Sequence, residues 1–495
     1  MSEKTGNFDK TIKGVSSQTI VTAVMAILEL TAFAIMSRLL TKSEFGYYAV
    51  IMSITMVFRS FAEAGIGASV IQRKNADHVF VNTAYSLSVI LGIVATSIVI
   101  IFSGWLSDAI SDRTIHIPLI LISLTILPYS LNSVYKGLFM KGLHFMRLGV
   151  FQAIAFTMAQ IVAITLAIME YGLYAIVVGN ILNIILQNAI LRYFSDYKPH
   201  FFISKDKLKD IVSYGGWLTL SRLTGTIYAQ IDKLLMSKWF SVVELGSFFR
   251  TRSFIDTVDS QIGSIFDVTL FPILSSIQDN NKAIQNAYEK SMYIGCTLYS
   301  LLFVTFFFHA KLIIFCVLGP QWLDQILLFR ILALSMLFYA FSRMADCFIR
   351  SLAFVRFGFF IKLTSCILLV PSIYLLKGNG VLGVAVAVVL VNLLMSIVKT
   401  YFICYKTRIS FFHIIFNALR GSLCTIPLII MGLVFMLFFN DTIPYIIGFC
   451  MIYILAVVLI FGLFPGLVGN TYRDQVFPTI RNFVLSRLLG THQGK

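Results

Sequence analysis

Apolar stretches of about 20 residues recur along the chain from Ser16 to Phe464, and only short polar segments separate them. A stretch of that length crosses the roughly 30 Å hydrocarbon core of a bilayer as an α-helix. The pattern predicts an all-α integral membrane fold with fourteen transmembrane helices and no soluble domain. The predicted helices are 16–38, 44–66, 79–103, 115–137, 147–168, 171–193, 211–236, 243–272, 288–309, 322–345, 355–376, 379–402, 414–439 and 443–464.

Composition and charge agree with this pattern and add an orientation. Of the 495 residues, 58% are hydrophobic and 13% are charged, a balance typical of membrane proteins. The net charge of +16 needs no nucleic-acid partner, because 26 basic residues fall on the side that holds both termini and seven on the other. The positive-inside rule therefore predicts a multi-pass protein with both termini in the cytoplasm.

Several segments recur after about 200 residues. Residues 36–38 and 44–48 recur as 236–238 and 244–248, and residues 139–149 resemble 348–358. Six helices separate equivalent positions, which predicts two parallel six-helix halves related by a pseudo-twofold axis along the membrane normal. The predicted parts are an N-terminal lobe (1–200), a C-terminal lobe (201–409), helices 13 and 14 (410–464) and a cytoplasmic tail (465–495).

Ionisable residues inside the predicted helices are the candidate functional residues. Charges that face lipid cost several kcal/mol, so we expect these side chains to line the cleft between the two halves. Arginines there suit an anionic head group, and carboxylates can take up a proton or sodium ion. The candidate substrate-binding residues are Arg59, Arg222, Arg250, Arg252 and Arg330. The candidate ion-coupling residues are Asp256, Asp259, Asp232, Glu29 and Glu63.

For each of these residues the alternative is an internal ion pair that ties helices together. Spacing by four residues makes such pairs possible between Arg59 and Glu63 and between Arg252 and Asp256. No opposite charge lies three or four residues from Arg222, Arg250 or Arg330 within their helices, which favours a functional role.

Motifs for other chemistry are missing from the sequence. The seven cysteines are scattered without a CxxC pair, and the histidines lack the spacing of metal ligands. The nucleotide-binding motif GxxxxGK[ST] and the serine-nucleophile motif GxSxG do not occur. The sequence therefore predicts no enzyme, no catalytic residue, no cofactor and no bound metal, and transport driven by an ion gradient or by the substrate's own gradient.

Five segments resemble one transporter family: 39–48, 64–74, 215–219, 231–235 and 270–279. The family is the polysaccharide transporter (Wzx-type) family of the multidrug/oligosaccharidyl-lipid/polysaccharide exporter superfamily, and the likeness is strongest to its colanic acid exporter branch. The resemblance implies a flippase in the bacterial inner membrane. Such a flippase moves undecaprenyl-diphosphate-linked oligosaccharides to the outer leaflet for lipopolysaccharide, capsule or exopolysaccharide synthesis. Membrane lipids, a polysaccharide polymerase and a chain-length regulator are the partners it implies.

Three alternatives stay open. A membrane polysaccharide polymerase would carry a long outer loop with catalytic Arg or His, whereas the outer loops here are short. A multidrug exporter of the same superfamily would favour twelve helices and an acidic cavity. A peptidoglycan-precursor flippase shares the fourteen helices and the cationic cavity, and only the local segments argue against it.

Overall fold

The computed structural model describes residues 24–73, 77–109, 113–278, 280–352, 354–423, 425–438 and 451–453, and all regular secondary structure within these ranges is helical. The start of predicted helix 1, most of predicted helix 14 and the tail from residue 465 lie outside the described residues. The all-helical prediction is confirmed for the part of the chain that is described.

The helices before residue 200 follow the predicted spans closely. They are α1 (residues 24–39), α2 (Lys42–Glu63), α3 (Ile66–Gln72), α4 (His78–Ala109), α5 (His116–Ser123), α6 (Ile126–Lys141), α7 (Phe145–Ile168) and α8 (Leu173–Tyr193). The span predicted at 44–66 is longer than expected and divides into α2 and α3 at Ala64 and Gly65, which both have positive φ. Glycine adopts this conformation freely, whereas alanine adopts it at a cost.

The remaining helices also match the predicted order. They are α9 (Lys205–Trp239), α10 (Val242–Ser276), α11 (Asn281–Phe308), α12 (Ala310–Ile313), α13 (Ile326–Ala333), α14 (Ser335–Ser351), α15 (Val355–Leu376), α16 (Gly380–Thr407), α17 (Phe411–Leu423) and α18 (Ile426–Phe438). The span predicted at 322–345 is broken, because the segment Pro320–Ala333 meets α14 at a bend of 41°.

Within the described ranges, seven helical segments are long and apolar enough to cross a membrane, or nine if each of two bent pairs forms one span. The helices α9 and α10 are each 35 residues long but fall outside this set, because charged residues recur along them. Large apolar side chains such as Ile101, Trp105 and Leu375 are exposed on the helix surfaces, as expected where a protein faces lipid. The chain is a multi-pass membrane protein, and the count of fourteen helices stays a prediction.

The starts of α2 and α10 are built alike. Thr41 precedes α2, where its Oγ1 accepts a hydrogen bond from the Glu44 N–H and the Glu44 carboxylate accepts one from the Thr41 N–H at 2.7 Å. Ser241 and Glu244 form the same reciprocal pair before α10, with the Ser241 N–H 3.0 Å from Glu244 Oε2. Such a capping box satisfies two backbone donors that a helix start leaves unpaired.

The helices α2 and α10 cross in close contact at two equivalent glycines. A Cβ atom on Gly46 would overlap the Val242 carbonyl, and one on Gly246 would overlap the Lys42 carbonyl. The contact is reciprocal, since Lys42 and Val242 are equivalent under the 200-residue displacement, as are the two glycines. The sequence repeat thus has a structural counterpart at the starts of these two helices.

The described residues fall into two compact units. The first comprises Met1–Val268, Val317–Gln321 and Phe354–Val388. In it α2 packs against α4, α6 and α9, and α7 packs along α8 through buried Ala155, Ala159, Ala163 and Ala167. Small residues every fourth position let two helices approach closely, and Gly179 of α8 meets Ala163 there.

The second unit comprises Thr269–Cys316, Trp322–Ala353 and Val389–Lys495. Its central helix is α11, which packs against α14 and α17. Val304, Leu428 and Tyr453 form an apolar cluster in this unit. The division of the chain at residues 200 and 409 stays a prediction.

Candidate functional site

Arg59 is a buried cation whose partners among the described residues are all uncharged. It lies on α2, is 2% exposed, and donates hydrogen bonds from one terminal nitrogen to Thr125 Oγ1 and, at 2.8 Å, to Asn180 Oδ1. The ring of Tyr129 lies 5.2 Å from its guanidinium carbon. Thr125 sits at the irregular turn between α5 and α6, which aims its hydroxyl at the arginine. A buried charge that no carboxylate balances is costly and indicates a functional position.

Two more cations line a cavity of about 190 Å³ in the same unit. Arg222 of α9 pairs with Glu63 at the end of α2, with 2.8 Å between Nη1 and Oε1. Lys136 of α6 faces the same space and forms no hydrogen bond or ion pair with any described residue. Tyr129 and Ser133 complete the polar wall. Two cations against one carboxylate leave the cavity with a net positive charge, which favours an anionic ligand.

A second cavity, of about 310 Å³, is lined in part by Asn180. Its polar wall comes from Glu29, Tyr48, Gln160, Asn180, Asn183, Arg250 and Thr257. Glu29 accepts a hydrogen bond from Gln261 Nε2 at 2.9 Å, and Asn180 Nδ2 donates to the Tyr48 hydroxyl at 3.3 Å. Because Asn180 also accepts from Arg59, one amide connects the buried arginine to this cavity.

Arg250 is held by α1. Its Nε donates to Ser37 Oγ at 2.8 Å, and a terminal nitrogen donates to the Phe33 carbonyl. The rings of Phe33 and Phe45 lie 3.3 and 4.3 Å from its guanidinium carbon. The side chain is thus committed to the contact between α1 and α10.

Arg252 belongs to an ionic network. It forms an ion pair with Asp232 of α9, which is fully buried, and its Nε lies 3.3 Å from Asp256 Oδ2. The predicted alternative of an internal pair between Arg252 and Asp256 is therefore seen. Asp259 is also buried on α10.

Arg330 lies on α13 and belongs to the second unit, whereas the other four candidate arginines belong to the first. Its Nε donates to the Phe307 carbonyl at 3.0 Å, and the Phe307 ring lies 5.6 Å from the guanidinium carbon. The described residues hold no group of three or more His, Cys, Asp or Glu that could bind a metal ion.

The sequence matches a family described as Polysaccharide biosynthesis protein over residues 35–327, which is more than half of the chain. The chain belongs to this family. The Wzx-type resemblance is thereby confirmed. The chain is 22% identical over 408 residues to the lipopolysaccharide biosynthesis protein WzxC of Escherichia coli strain K12, covering 80% of this chain and 81% of that protein.

Solved structures show that this polysaccharide family member has a transporter fold. The lipid II flippase MurJ in an inward closed conformation aligns with a TM-score of 0.70 at 14% identity, covering 93% of this chain and 99% of that one. An inward-facing multidrug resistance MATE family transporter of the MOP superfamily aligns with a TM-score of 0.63 at 13% identity, covering 79% and 98%. These two structures show that the chain has the fold of membrane transporters.

The sequence missed several residues of the two cavities in this family member. Lys136 is one of the 26 basic residues on the side of the termini, and Gln160, Asn180 and Asn183 are uncharged, so the search for charges within helices does not select them. A signal existed for the amides, because three of them on neighbouring apolar helices α7 and α8 are as unusual in lipid as a charge. Glu63 pairs with Arg222 rather than with Arg59, so the alternative of a pair four residues apart on α2 is not seen.

Proposed function

We propose that the protein is a flippase that moves lipid-linked oligosaccharide units across the bacterial inner membrane for surface polysaccharide synthesis. The observation that carries this proposal is the 190 Å³ cavity, where Lys136 and Arg222 face open space with Glu63 as the one carboxylate. All such substrates share a diphosphate, and paired cations suit this group because they form charge-assisted hydrogen bonds with its oxygens. Membership of a polysaccharide biosynthesis family and the fold of MurJ support the same substrate class.

The predicted binding residues separate into groups under this proposal. Arg222 and Lys136 bind the diphosphate. Arg59 does not line their cavity but contacts the ring of Tyr129, which does. Arg252 is paired with Asp232 and Asp256, and Arg250 donates hydrogen bonds to Ser37 and the Phe33 carbonyl of α1, so both hold helices together. Arg330 retains its predicted role as a binding residue of the second unit. Both termini are assigned to the cytoplasm, and the substrate crosses by alternating access.

Glu29 is the carboxylate that best fits ion coupling. Among the described residues its hydrogen-bond partner is the uncharged amide of Gln261, whereas Asp232 is bound to Arg252. A carboxylate without a cation can change its protonation state without breaking an ion pair. We expect Glu29→Gln to make transport in proteoliposomes insensitive to an imposed pH gradient. Transport that still follows the gradient would return the coupling role to Asp256, Asp259 or Glu63.

Export by variants in a strain that lacks its own copy of the gene tests the diphosphate site. Lys136→Ala and Arg222→Ala, singly and together, should lower surface polysaccharide at least tenfold at normal protein abundance, because affinity is lost without a void in the core. Arg222→Lys should restore export in part, since it keeps the charge but loses the bidentate fork. Immunoblots of polysaccharide and of membrane protein provide both measurements.

Lys141→Ala is the matched control. This lysine lies on the same helix as Lys136, but its Nζ donates to the Arg73 carbonyl at 2.9 Å, outside the cavity. Export by this variant should stay near the wild-type level. Normal export by the Lys136→Ala/Arg222→Ala double variant would overturn the proposal, as would a fall in abundance that matches the fall in export.

A further inference from the structure

The 310 Å³ cavity of the first unit differs in chemistry from the cationic one. Residues with amide or aromatic side chains make up half of its wall, and they include Gln160 and Phe156 on α7, Asn183 on α8 and Phe249 on α10. A pyranose ring needs both kinds of partner. Its hydroxyls donate and accept hydrogen bonds, as amides do, and its C–H faces pack on aromatic rings.

Two of the amides have hydrogen-bonding capacity to spare. The side chains of Gln160 and Asn183 make no hydrogen bond with other described residues, and Asn183 Oδ1 is buried. A buried acceptor without a partner costs roughly 1–3 kcal/mol, and a ligand hydroxyl would remove that cost. Asn180, in contrast, is already bound to Arg59 and Tyr48.

The charges of this cavity disfavour an anion. Arg250 donates hydrogen bonds to Ser37 and to the Phe33 carbonyl, so two of its three guanidinium nitrogens already have partners. Glu29 is the carboxylate in the wall, and its partner Gln261 is neutral. A carboxylate repels a uronic acid but accepts hydrogen bonds from hydroxyl or amino groups.

The volume limits the ligand further. About 310 Å³ lies at the lower end of the range of roughly 300–1,000 Å³ for small-molecule pockets. Such a space holds one pyranose ring and excludes a whole oligosaccharide.

We propose that this cavity binds one neutral or amino sugar of the lipid-linked glycan and rejects a uronic acid. The inference rests on the proposed function for the origin of the sugar. Asn180 then connects the sugar pocket to Arg59, so that the glycan and the diphosphate of one substrate are recognised by neighbouring sites.

Saturation-transfer NMR with the purified full-length protein tests the pocket. The probes are the methyl glycosides of glucose, galactose, mannose, glucosamine, N-acetylglucosamine and glucuronic acid. We expect a signal from at least one neutral or amino glycoside and none from the glucuronide. Gln160→Leu and Asn183→Leu should each reduce that signal at least fivefold, and Glu29→Gln should allow the glucuronide to bind.

Asn188→Leu is the control, because this amide lies on the same helix as Asn183 but is bound to Asn132 Oδ1 at 2.9 Å and to the Pro128 carbonyl. It should keep the wild-type signal. The inference is overturned if no neutral or amino glycoside binds, if Gln160→Leu and Asn183→Leu both bind as wild type does, or if the glucuronide binds wild type best. Binding of tetraphenylphosphonium that is lost in Glu29→Gln, with no sugar signal, would instead identify a pocket for organic cations.

The two proposals fail separately. Lys136→Ala/Arg222→Ala should lose export but keep the sugar signal, since these residues do not line the larger cavity. A sugar signal with normal export in that double variant would overturn the diphosphate site and leave the pocket standing. Lost export without any sugar signal would overturn the pocket alone.

Discussion

The helices α2 and α10 begin in the same way and then diverge. Thr41 with Glu44 and Ser241 with Glu244 form equivalent capping boxes, and Gly46 and Gly246 make equivalent close contacts. Further along, Arg59 of α2 has only neutral partners, whereas Arg252 of α10 is bound to two carboxylates. Backbone requirements are thus shared between the two helices, and charge is not.

This difference separates stability from function. A capping residue or a glycine at a crossing is fixed by the backbone that it serves, so a repeat keeps it. A charged side chain in a membrane protein is costly unless an opposite charge, polar and aromatic partners or a ligand stabilise it. The carboxylates around Arg252 neutralise this arginine and tie α9 to α10, while Arg59 has no carboxylate partner and contacts one wall residue of each cavity, Asn180 and Tyr129.

The largest difference is expected when Arg252 of α10 and Arg59 of α2 are each replaced by leucine. Arg252→Leu leaves fully buried Asp232 without its cation and should destabilise the protein by about 3–5 kcal/mol. Arg59→Leu removes a charge that has no carboxylate partner, so stability should stay near wild type while export is lost. Thermal unfolding of the purified proteins in one detergent measures both.

Arg252→Leu/Asp232→Leu provides the control, because removing both charges should recover much of the lost stability. The contrast between the two helices would be wrong if Arg59→Leu were as destabilising as Arg252→Leu.

A smaller loss is expected at the crossing of α2 and α10. Gly46→Ala and Gly246→Ala each place a methyl group against a backbone carbonyl, which no side-chain rotation relieves, so we expect a loss of about 1–3 kcal/mol. Gly104→Ala on α4 is the matched control, because a Cβ there meets nothing within 4 Å. Unfolding temperatures of the three variants test this. Equal values for all three would contradict a close contact at the crossing.

Much of the fold could be predicted because apolar stretches and repeated segments can be read directly from the sequence. The positions of α9 and α10 follow from their apolar stretches even though charged residues recur along them, and the repeated Glu-x-Gly segment predicts matching helix starts. The break at Ala64 and Gly65 could not be predicted in the same way, because a membrane helix often contains glycine without breaking.

Only part of the candidate site could be predicted, because the spacing of residues along one helix does not show which residues of other helices they contact. Glu63 lies four residues from Arg59 but bonds to Arg222, 159 positions away. Lys136 is one of the basic residues that predict cytoplasmic termini, and its position in the sequence does not show that it lines a cavity. The neutral amides Gln160 and Asn183 carry no charge signal at all, and only the packing of α7 on α8 reveals a common cavity.

The smallest expected effect is a pH-dependent loss of stability at the start of α4, for which the start of α11 is the comparison. Asp77 caps α4 by accepting from the Phe80 N–H at 2.9 Å, and Asn280 caps α11 by accepting from the Ala283 N–H at 3.0 Å. The hydrogen bond from Lys207, with that from Phe80, lowers the pKa of Asp77 below its ordinary value of 3.8.

Because folding lowers this pKa, the stabilisation by Asp77 is complete above about pH 3.8 and is lost as the pH falls through the lower, folded-state value. Its carboxylate is half exposed, so the effect on α4 should be only about 0.5 kcal/mol. Amide hydrogen-exchange protection in the first turn of α4 should therefore fall below pH 3.8, while that of α11 stays constant because an amide cap does not titrate. Asp77→Asn should remove the pH dependence of α4, and equal loss of protection in both helices would show that the cap charge is not its cause.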